Sequence, residues 1–304
     1  NGNLASASST GNSVANTLQV IATNIATTTG DATAIAALSN LQSNDGAGTD
    51  SAVVGASAAT SIPLVGVQVN GAVTGSSALS VADNSVSAKA LGNTGSNQLA
   101  VTGTNLTSTA PATNIVGTSS TVATGAVTSE FALTNRQTDA VAARTADANN
   151  VVLGINTTGN LAASTLAVTN NLVSAEARNN QINNVASLTG FATLTTSAGL
   201  LNEQTSTTAT TVTATGDVSI RAAGGATGTS TLDLTGNTVK ALVVGNSAGN
   251  TMSVNATNLT GNSGLTTGGG SAFSYTLADG VTATTAADFG VANVQTQSGV
   301  LSAT

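Results

Sequence analysis

The sequence has no cysteine, no histidine and no tryptophan, and aromatic residues make up only 2% of its 304 residues. Without cysteine, disulfide bonds and thiol chemistry are excluded, and the redox compartment is left undefined. Without histidine, the chain lacks the commonest general base, the usual serine–histidine and cysteine–histidine dyads, and the ligand of most transition-metal sites. A core must therefore be built from Val, Leu, Ile, Ala and Thr, which suits thin, repetitive β layers.

Charge is also scarce, since 6 basic and 13 acidic residues give a formal net charge of −7 and only 6% of the chain is charged. Average globular chains carry about 25% charged residues. No basic run is present, so nucleic acid is not an expected partner. The acidic residues are dispersed and match no calcium-binding motif, so no metal and no cofactor is predicted. The apolar stretches, such as residues 241–244, are too short to span a bilayer.

An ungapped internal repeat organises the chain. Residues 84–107 (NSVSAKALGNTGSNQLAVTGTNLT) return 153 positions later as residues 237–260 (NTVKALVVGNSAGNTMSVNATNLT). The match extends backwards, so that residues 63–107 align with residues 216–260 and share 17 identities in 45 positions. The identities cluster at Gly, Asn and inward apolar positions, which are the positions that a β fold constrains.

Looser copies of the repeat begin at Asn3, near Arg136 and at Asn171. Their spacings are uneven, so a strict repeat array is not established.

Both copies of the repeat alternate as β-strands do, and a Gly-Asn pair then interrupts the alternation. Since Gly and Asn tolerate positive φ, we predict turns or corners at Gly92-Asn93 and Gly245-Asn246, with Val86, Ala88, Leu99, Val239, Ala241 and Met252 inside. Asparagines recur near these corners, where side-chain amides can bond backbone groups or stack on one another. The predicted structural positions are Asn84, Val86, Ala88, Gly92, Asn93, Asn97, Leu99 and Asn105, and Asn237, Val239, Ala241, Gly245, Asn246, Asn250, Met252 and Asn258.

These patterns predict an almost all-β chain, and two architectures remain open. The first is a β-solenoid with short strands and Gly/Asn turns, a single elongated unit over residues 1–304 that contains the duplication. The second is a pair of tandem β-sandwich-like halves, residues 1–152 and 153–304. The Asn70-Gly71 pair distinguishes them, because it forms an antiparallel hairpin in a sandwich and a corner in a solenoid.

One short helix is expected, over residues 31–43. Asp31 is a suitable N-cap, and Ile35, Leu38 and Leu41 follow at three-residue steps.

Several residues on the face opposite the inward row are apolar as well. They are Leu91 in the first copy and Leu242 and Val244 in the second. Strands that are apolar on both faces are covered on both, either by another layer of the chain or by a neighbouring subunit. Because the chain has little charge to oppose association, we predict these three residues as a candidate assembly surface.

The segments NSVSAKALGNTGSNQLAV and NTVKALVVGNSAGNTMSV resemble the Asn/Gly/Ser-punctuated repeats of secreted bacterial β-strand-repeat proteins. In particular they are similar to surface proteins that anchor the adhesive holdfast of stalked alphaproteobacteria. The resemblance covers the repeat copies, roughly half the chain, and it implies an exported, assembled, non-enzymatic fibre or anchor protein. It supplies no functional residues.

The expected function is that of a structural subunit of a self-assembling extracellular bacterial filament or surface-anchoring fibre, whose main partner is itself. The sequence starts at Asn1 with neither Met nor a charged-then-apolar leader, so we expect a mature product after signal removal. The Asn/Thr/Ser/Gly-rich composition is typical of proteins outside bacterial cells, so secretion to the cell surface is expected. The alternative is an adhesin or carbohydrate-binding stalk, with extracellular polysaccharide or other surface proteins as partners. A polysaccharide-cleaving enzyme would need clustered carboxylates, basic residues and aromatics, and the chain has few of each; no enzyme activity is predicted.

Overall fold

The structure is a computed structural model that describes residues 1–27, 36–55, 65–108, 115–118, 123–128, 131–261, 273–277, 281–285 and 288–304. Within these residues the chain forms β-strands and no helix. The prediction of an all-β chain is therefore confirmed. The large sheets are parallel, as their residue pairing shows.

The chain runs four times through the same set of sheets, and each run is called a pass here. Pass 1 contains β1 (Leu4–Thr27), β2 (Ala36–Asn44), β3 (Thr49–Gly55), β4 (Val65–Val69), β5 (Val73–Thr74) and β6 (Ala78–Ala82). Pass 2 contains β7 (Ser85–Ser108), β8 (Ile115–Thr118), β9 (Ala123–Thr128), β10 (Phe131–Asp139), β11 (Ala143–Thr157), β12 (Leu161–Ala162) and β13 (Thr165–Thr169). Pass 3 contains β14 (Leu172–Thr196), β15 (Ala198–Ser206), β16 (Ala209–Ala222), β17 (Ala226–Thr227) and β18 (Thr231–Thr235). Pass 4 contains β19 (Thr238–Gly261), β20 (Phe273–Thr276), β21 (Thr282–Thr285), β22 (Phe289–Gln297) and β23 (Leu301–Ala303).

Three sheets contain a strand from every pass. Sheet A has the order β1-β7-β14-β19, sheet B the order β2-β10-β15-β22, and sheet C the order β3-β11-β16-β23, with β4 also paired to β11. Two smaller sheets, β5-β12-β17 and β6-β13-β18, connect passes 1 to 3. Segments of passes 2 and 4 form an antiparallel sheet of β8, β9, β20 and β21.

The register of sheet A accounts for the internal repeat. Asn84 and Asn171 are 87 residues apart and hydrogen bond to each other, and Asn171 and Asn237 are 66 residues apart and do the same. The two offsets together make the 153 residues of the repeat, so the best-matched copies lie two passes apart, on β7 and β19, with β14 between them. The looser copies at Asn3 and Asn171 fall in this register, whereas the one near Arg136 runs from β10 of sheet B into β11 of sheet C.

Two of the apolar clusters in the interior lie on either side of a bend in sheet A. Val86 and Ala88, at the beginning of β7, pack against residues of sheet C such as Ala146. Leu99, later in the same strand, packs against residues of sheet B such as Leu133. All five side chains are buried. Strand β7 therefore packs against sheet C with its first part and against sheet B with its later part.

The Gly92-Asn93 pair makes this bend, but it does not end β7, so the prediction of short strands is wrong here. Leu91 and Asn93 both pair with β1 and β14, and between them only Gly92 lacks a paired residue. Before Gly92 the inward residues have even numbers, as at Ala88, and after it they have odd numbers, as at Asn93. The backbone therefore turns its other face inward while its pairing with the neighbouring passes continues.

The close approach of other groups explains the glycine. A Cβ atom at Gly92 would lie 2.2 Å from the backbone oxygen of Asn179 and 2.8 Å from a terminal guanidinium nitrogen of Arg144. No side chain larger than hydrogen fits there without a shift of the neighbouring backbone. Gly245-Asn246 occupies the same position in β19.

The predicted helix over residues 31–43 is wrong where the structure describes it, because residues 36–43 belong to strand β2; residues 31–35 lie outside the described residues. The inward row of β2 is Ala36, Leu38, Asn40 and Gln42, which has a period of two. Since two of those four side chains are amides, the apolar residues alone showed a three-residue spacing that imitates a helix.

The Asn70-Gly71 pair forms a corner, and the antiparallel hairpin predicted for a sandwich is absent at this pair. Strands β4 and β5 on either side of it pair in parallel with β11 and β12. Even the corner follows the neighbouring pass, since the carbonyl oxygen of Gly71 accepts a 2.9 Å hydrogen bond from the backbone nitrogen of Gly159.

Two Leu→Ala substitutions in one apolar column should show that the loss of stability depends on how deeply each leucine is buried. Leu194 is fully buried, and Leu259, its partner in the next strand, is 52% exposed. We expect Leu194→Ala to lower the free energy of unfolding by about 2–5 kcal/mol and Leu259→Ala to lower it by less than half as much. Urea unfolding of the dilute protein measures both, and equal losses would contradict the assigned register.

Candidate functional site: buried amide ladders and uncovered core columns

Columns of asparagine run from pass to pass, with the side-chain nitrogen of each residue donating to the side-chain oxygen of the next. The first column is Asn3, Asn84, Asn171 and Asn237, with distances of 2.9, 2.8 and 2.8 Å. The second is Asn12, Asn93, Asn180 and Asn246, at 2.8, 2.8 and 2.7 Å. The third is Asn16, Asn97, Asn184 and Asn250, at 2.9, 2.9 and 2.8 Å. The fourth, in sheet B, is Asn40, Asn135, Asn202 and Asn293, at 2.6, 2.7 and 2.7 Å.

A glutamine column lies beside the fourth asparagine column and has the opposite direction. Here the nitrogen of the later residue donates to the oxygen of the earlier one. The column is Gln42, Gln137, Gln204 and Gln295, with distances of 2.7, 2.7 and 2.6 Å.

The ladders are also linked across the interior. Asn97 of sheet A donates to Asn135 of sheet B at 3.1 Å, and Asn184 donates to Asn202 at 3.2 Å. All four side chains are almost completely buried, and a buried amide without partners would cost about 1–3 kcal/mol. The ladders therefore supply, within the protein, the hydrogen bonds that these amides would otherwise make to water.

The structure places most of the predicted repeat residues in these columns or beside them. Six of the predicted asparagines belong to ladders: Asn84, Asn93, Asn97, Asn237, Asn246 and Asn250. Asn105 instead donates to Asn24 at 2.9 Å, and Asn258 pairs in register with Thr193, so this column is interrupted in pass 3. Among the predicted inward apolar residues, Val86, Ala88 and Leu99 are buried, Ala241 and Met252 are half-buried, and Val239 is exposed.

Sequence reasoning missed the ladders of sheet B, although a signal for them exists. An Asn-x-Gln triplet recurs in β2, β10, β15 and β22, once in each of these four strands of sheet B. The triplets are Asn40-Leu41-Gln42, Asn135-Arg136-Gln137, Asn202-Glu203-Gln204 and Asn293-Val294-Gln295. The variable middle residue points away from the ladders, so the triplet is the period-two alternation of a strand whose inward side chains are polar.

A buried arginine lies where the bend of sheet A meets sheet C. Arg144 is fully buried and donates to both carboxylate oxygens of Asp139, at 2.5 and 2.9 Å. It also donates to Asp50 at 2.7 Å and to Asn179 at 2.8 Å. Burial lowers the pKa of Arg144, but the hydrogen bonds and charges of Asp139 and Asp50 outweigh burial and raise its pKa above the ordinary value.

Within each pass, the size of the sheet A residue at the bend is matched to the size of the side chains that face it. A Cβ atom at Gly11 would lie 2.5 Å from the side-chain nitrogen of Asn44, and one at Gly245 would lie 2.7 Å from the side-chain oxygen of Gln297. Pass 3 has Asn179 in place of the glycine, and this larger side chain meets small hydroxyl residues instead.

These hydroxyls are Ser206, which accepts a bond from Asn179 at 2.8 Å, and Thr210, which donates one at 2.7 Å. Side chains from sheets A, B and C thus fill the same space at the bend. A glycine in sheet A accompanies a large partner, and a large residue in sheet A accompanies small partners.

The last strand of each sheet leaves core columns uncovered. Val86 and Val173 are fully buried, but Val239 in the same column is 43% exposed. The same holds for four other apolar columns, whose inner members are buried and whose last member is exposed. A sixth exposed residue, Leu301, ends a column whose buried inner members, Arg144 and Thr210, are polar. We call these six last members the last-strand surface: Leu232, Leu234, Val239, Leu259, Val291 and Leu301.

The predicted assembly surface lies on the outer side of sheet A. Leu91 and Val244 are half-buried in one column, and Leu242 is exposed in the next. Pass 3 places charged residues between them, with Arg178 between Leu91 and Val244 and Glu176 next to Leu242. Comparison of β7 with β19 alone did not reveal these charges, because β14 lies between the two.

The outer face of sheet A also carries ion pairs. Lys89 lies 3.9 Å from Glu176, which also pairs with Arg178. A shallow groove beside these residues is lined by Leu91, Thr94, Gly95, Gln181, Ile182 and Asn183.

Neither a metal-ligand cluster nor a membrane-spanning helix occurs in the described part of the chain. No group of three or more His, Cys, Asp or Glu residues is placed to hold a metal ion there. No helix in that part is long and apolar enough to cross a bilayer. Compared with known proteins, the chain matches no family model, no curated protein and no solved structure.

Loss of the buried guanidinium should be costly, since it leaves the buried carboxylate of Asp139 without its counter-charge. We expect Arg144→Leu to lower the free energy of unfolding by about 3–5 kcal/mol. A raised folded-state pKa contributes stability that is fully present below the unfolded-state pKa, so Arg144 stabilises the fold throughout the neutral range. The loss should therefore be the same in mildly acidic and mildly alkaline buffer, as measured by urea unfolding at each pH.

The matched control is Arg221→Leu, which removes an ion pair with Asp217 in which both side chains are more than two-fifths exposed. That change should cost less than about 1 kcal/mol. A similar cost for the two variants would show that the Arg144 pair contributes no more than a surface pair.

Proposed function

We propose that the chain is a β-solenoid and that it is a structural subunit of a self-assembling extracellular bacterial filament or surface-anchoring fibre, without enzymatic activity. The solenoid is supported by the four passes, which contribute parallel strands to the same three sheets. The shared sheets also favour one continuous unit over two separate halves, because β1, β7, β14 and β19 all belong to sheet A.

The observation that carries the assembly proposal is the last-strand surface. Its six apolar side chains continue columns whose inner members are completely or almost completely buried. Covering one such side chain fully is worth roughly 1.5–3 kcal/mol, and an unpaired strand edge offers backbone donors and acceptors along its length. A further strand layer with the same column pattern would satisfy both, and a second copy of this chain supplies one.

The extracellular setting rests on the composition of the chain. Its low charge and its abundance of Asn, Thr, Ser and Gly are typical of secreted bacterial surface proteins, including those that its repeats resemble. A fibre subunit of this kind needs no cofactor, because stacking itself is the function.

Substitutions can distinguish end-on stacking through the core columns from lateral association through the outer face of sheet A. Val239 and Leu242 lie on the same strand and are both 43% exposed, but Val239 belongs to a core column and Leu242 faces outward. We expect Val239→Lys to shorten the filaments, because it places a charge between stacked layers. The double variant Leu242→Lys with Val244→Lys should instead reduce lateral bundling and leave filament length unchanged.

Negative-stain microscopy and sedimentation velocity measure length and bundling. Lys89→Ala, which removes only an exposed ion pair, is the control and should resemble the unsubstituted protein. Filaments that remain long in Val239→Lys would rule out end-on stacking through the core columns. A chain that stays monomeric at high concentration but is retained on extracellular polysaccharide would favour the adhesin instead.

High salt provides a separate test of the contact type. Apolar columns and backbone hydrogen bonds should hold the filament, whereas exposed ion pairs are screened at about 1 M salt, where the Debye length is near 3 Å. We expect the sedimenting fraction to be unchanged by this salt. Dissolution of the filaments would mean that ion pairs hold them together.

A further inference from the structure

We infer that copies of this chain stack head to tail in a single polarity, with the pass-4 strands of one copy on the pass-1 strands of the next and with every amide ladder continued across the junction. This inference rests on the proposed function and specifies its geometry. The partner at the junction is therefore a second copy of the same chain.

The first reason is that each complete ladder begins and ends with the same residue type. The end pairs are Asn3 and Asn237, Asn12 and Asn246, Asn16 and Asn250, Asn40 and Asn293, and Gln42 and Gln295. A second copy placed in register would set asparagine on asparagine and glutamine on glutamine, as each inner junction does.

The second reason is the direction of the ladders. All four asparagine ladders donate from earlier to later passes, so the last strands present amide nitrogens and the first strands present amide oxygens. The glutamine ladder is reversed in both respects. Two identical surfaces would place donor against donor or acceptor against acceptor wherever equivalent ladders meet, whereas opposite surfaces match in all five ladders.

The asparagines of the bend show how the junction would be satisfied. Asn93 uses one amide hydrogen for the backbone oxygen of Thr138 and the other for Asn180. Asn180 repeats this pattern with the backbone oxygen of Thr205 and with Asn246. Asn246 donates to the backbone oxygen of Thr296 at 2.8 Å and makes only a longer, 3.4 Å contact to that of Gln204. Asn246 can therefore still donate the hydrogen bond that each inner asparagine donates to the asparagine of the next pass.

The third reason is that the edge strands of sheets A and B have equal lengths and a common register. β1 and β19 each have 24 residues, and β2 and β22 each have 9. β14 has 25 residues and a register shift, but this irregularity lies inside the stack. Strand β19 of one copy can therefore pair with β1 of the next along its whole length.

The apolar columns match at the same time. In sheet A the column ends are Ala5 and Val239, Ala7 and Ala241, Leu18 and Met252, Val20 and Val254, and Ile25 and Leu259; in sheet B they are Leu38 and Val291. In sheet C, Leu301 would lie over Asp50, whose carboxylate is already paired with Arg144. Because the two surfaces are different patches, stacking does not close on itself, and an open polar filament results.

Disulfide trapping tests the polarity and the register, and the absence of native cysteine leaves the background empty. Thr17 and Thr251 are exposed end members of one outward column of sheet A. In a head-to-tail junction their Cα atoms would lie about 4.8 Å apart, within the range that a disulfide spans. We expect the oxidised double variant Thr17→Cys with Thr251→Cys to form a ladder of covalent oligomers on a denaturing gel.

The single variants report on polarity. An equal mixture of Thr17→Cys and Thr251→Cys chains should form only dimers that contain one chain of each kind, as intact-mass spectrometry can verify. The matched control for register is Thr17→Cys with Ser253→Cys, whose exposed positions lie one alternation out of line. Their Cα atoms would be about 8 Å apart, beyond the roughly 7 Å limit for a disulfide, so this variant should not be trapped.

Each contrary result has a distinct meaning. Covalent dimers of either single variant alone would overturn the polarity, because they require like surfaces to meet. Trapping of Thr17→Cys with Ser253→Cys in place of the in-register variant would overturn the register. Failure of the unsubstituted chain to sediment as filaments would refute the proposed function itself, whatever the gels show.

Discussion

Hydrogen bonding between like residues in successive passes is the constraint on which the rest of this structure depends. The side-chain amide of each inner ladder residue is hydrogen bonded to a like residue in the preceding pass and to another in the following pass. Asn97, for example, accepts from Asn16 and donates to Asn184. A slip of one residue would turn these amides outward and bring Gln98 and Leu99 to the wrong faces. Several buried amides would then lack partners at once, which is why one register is selected for the whole stack.

The bend in sheet A shows how differences between passes are accommodated without breaking the register. Pass 2 combines a glycine with a buried arginine and the carboxylate of Asp139, whereas pass 3 combines an asparagine with two hydroxyl residues. Arg144 is held by residues of passes 1, 2 and 3, so its ion pairs connect layers as the ladders do. Because a buried charge is tolerated only with its partners in place, this cluster adds specificity to a stack whose layers otherwise resemble one another.

A structure built by repeating one layer has edges that are equivalent to its interior. The columns that end at Val239 and Leu259 have the same chemistry as the buried columns beneath them, and the difference is only that no further layer covers them. This property of repeat architectures makes association through the edges favourable unless something blocks it. Low charge, matching columns and directional ladders would all favour the assembly proposed above, which would then depend on the same features that fold the chain.

The sequence by itself determined the all-β character, the 153-residue repeat and the asparagines at the bend, because alternation and Gly-Asn pairs are local signals. It misled over residues 36–43, since Asn40 and Gln42 occupy inward positions and left only a helix-like spacing of apolar residues. Only the tertiary structure decided that the repeat copies are separated by β14, that the Asn-x-Gln triplets form ladders, and that Arg144 is buried. Its partners Asp50 and Asn179 are 94 and 35 residues away, and parallel pairing between passes brings such distant residues together without leaving a local trace.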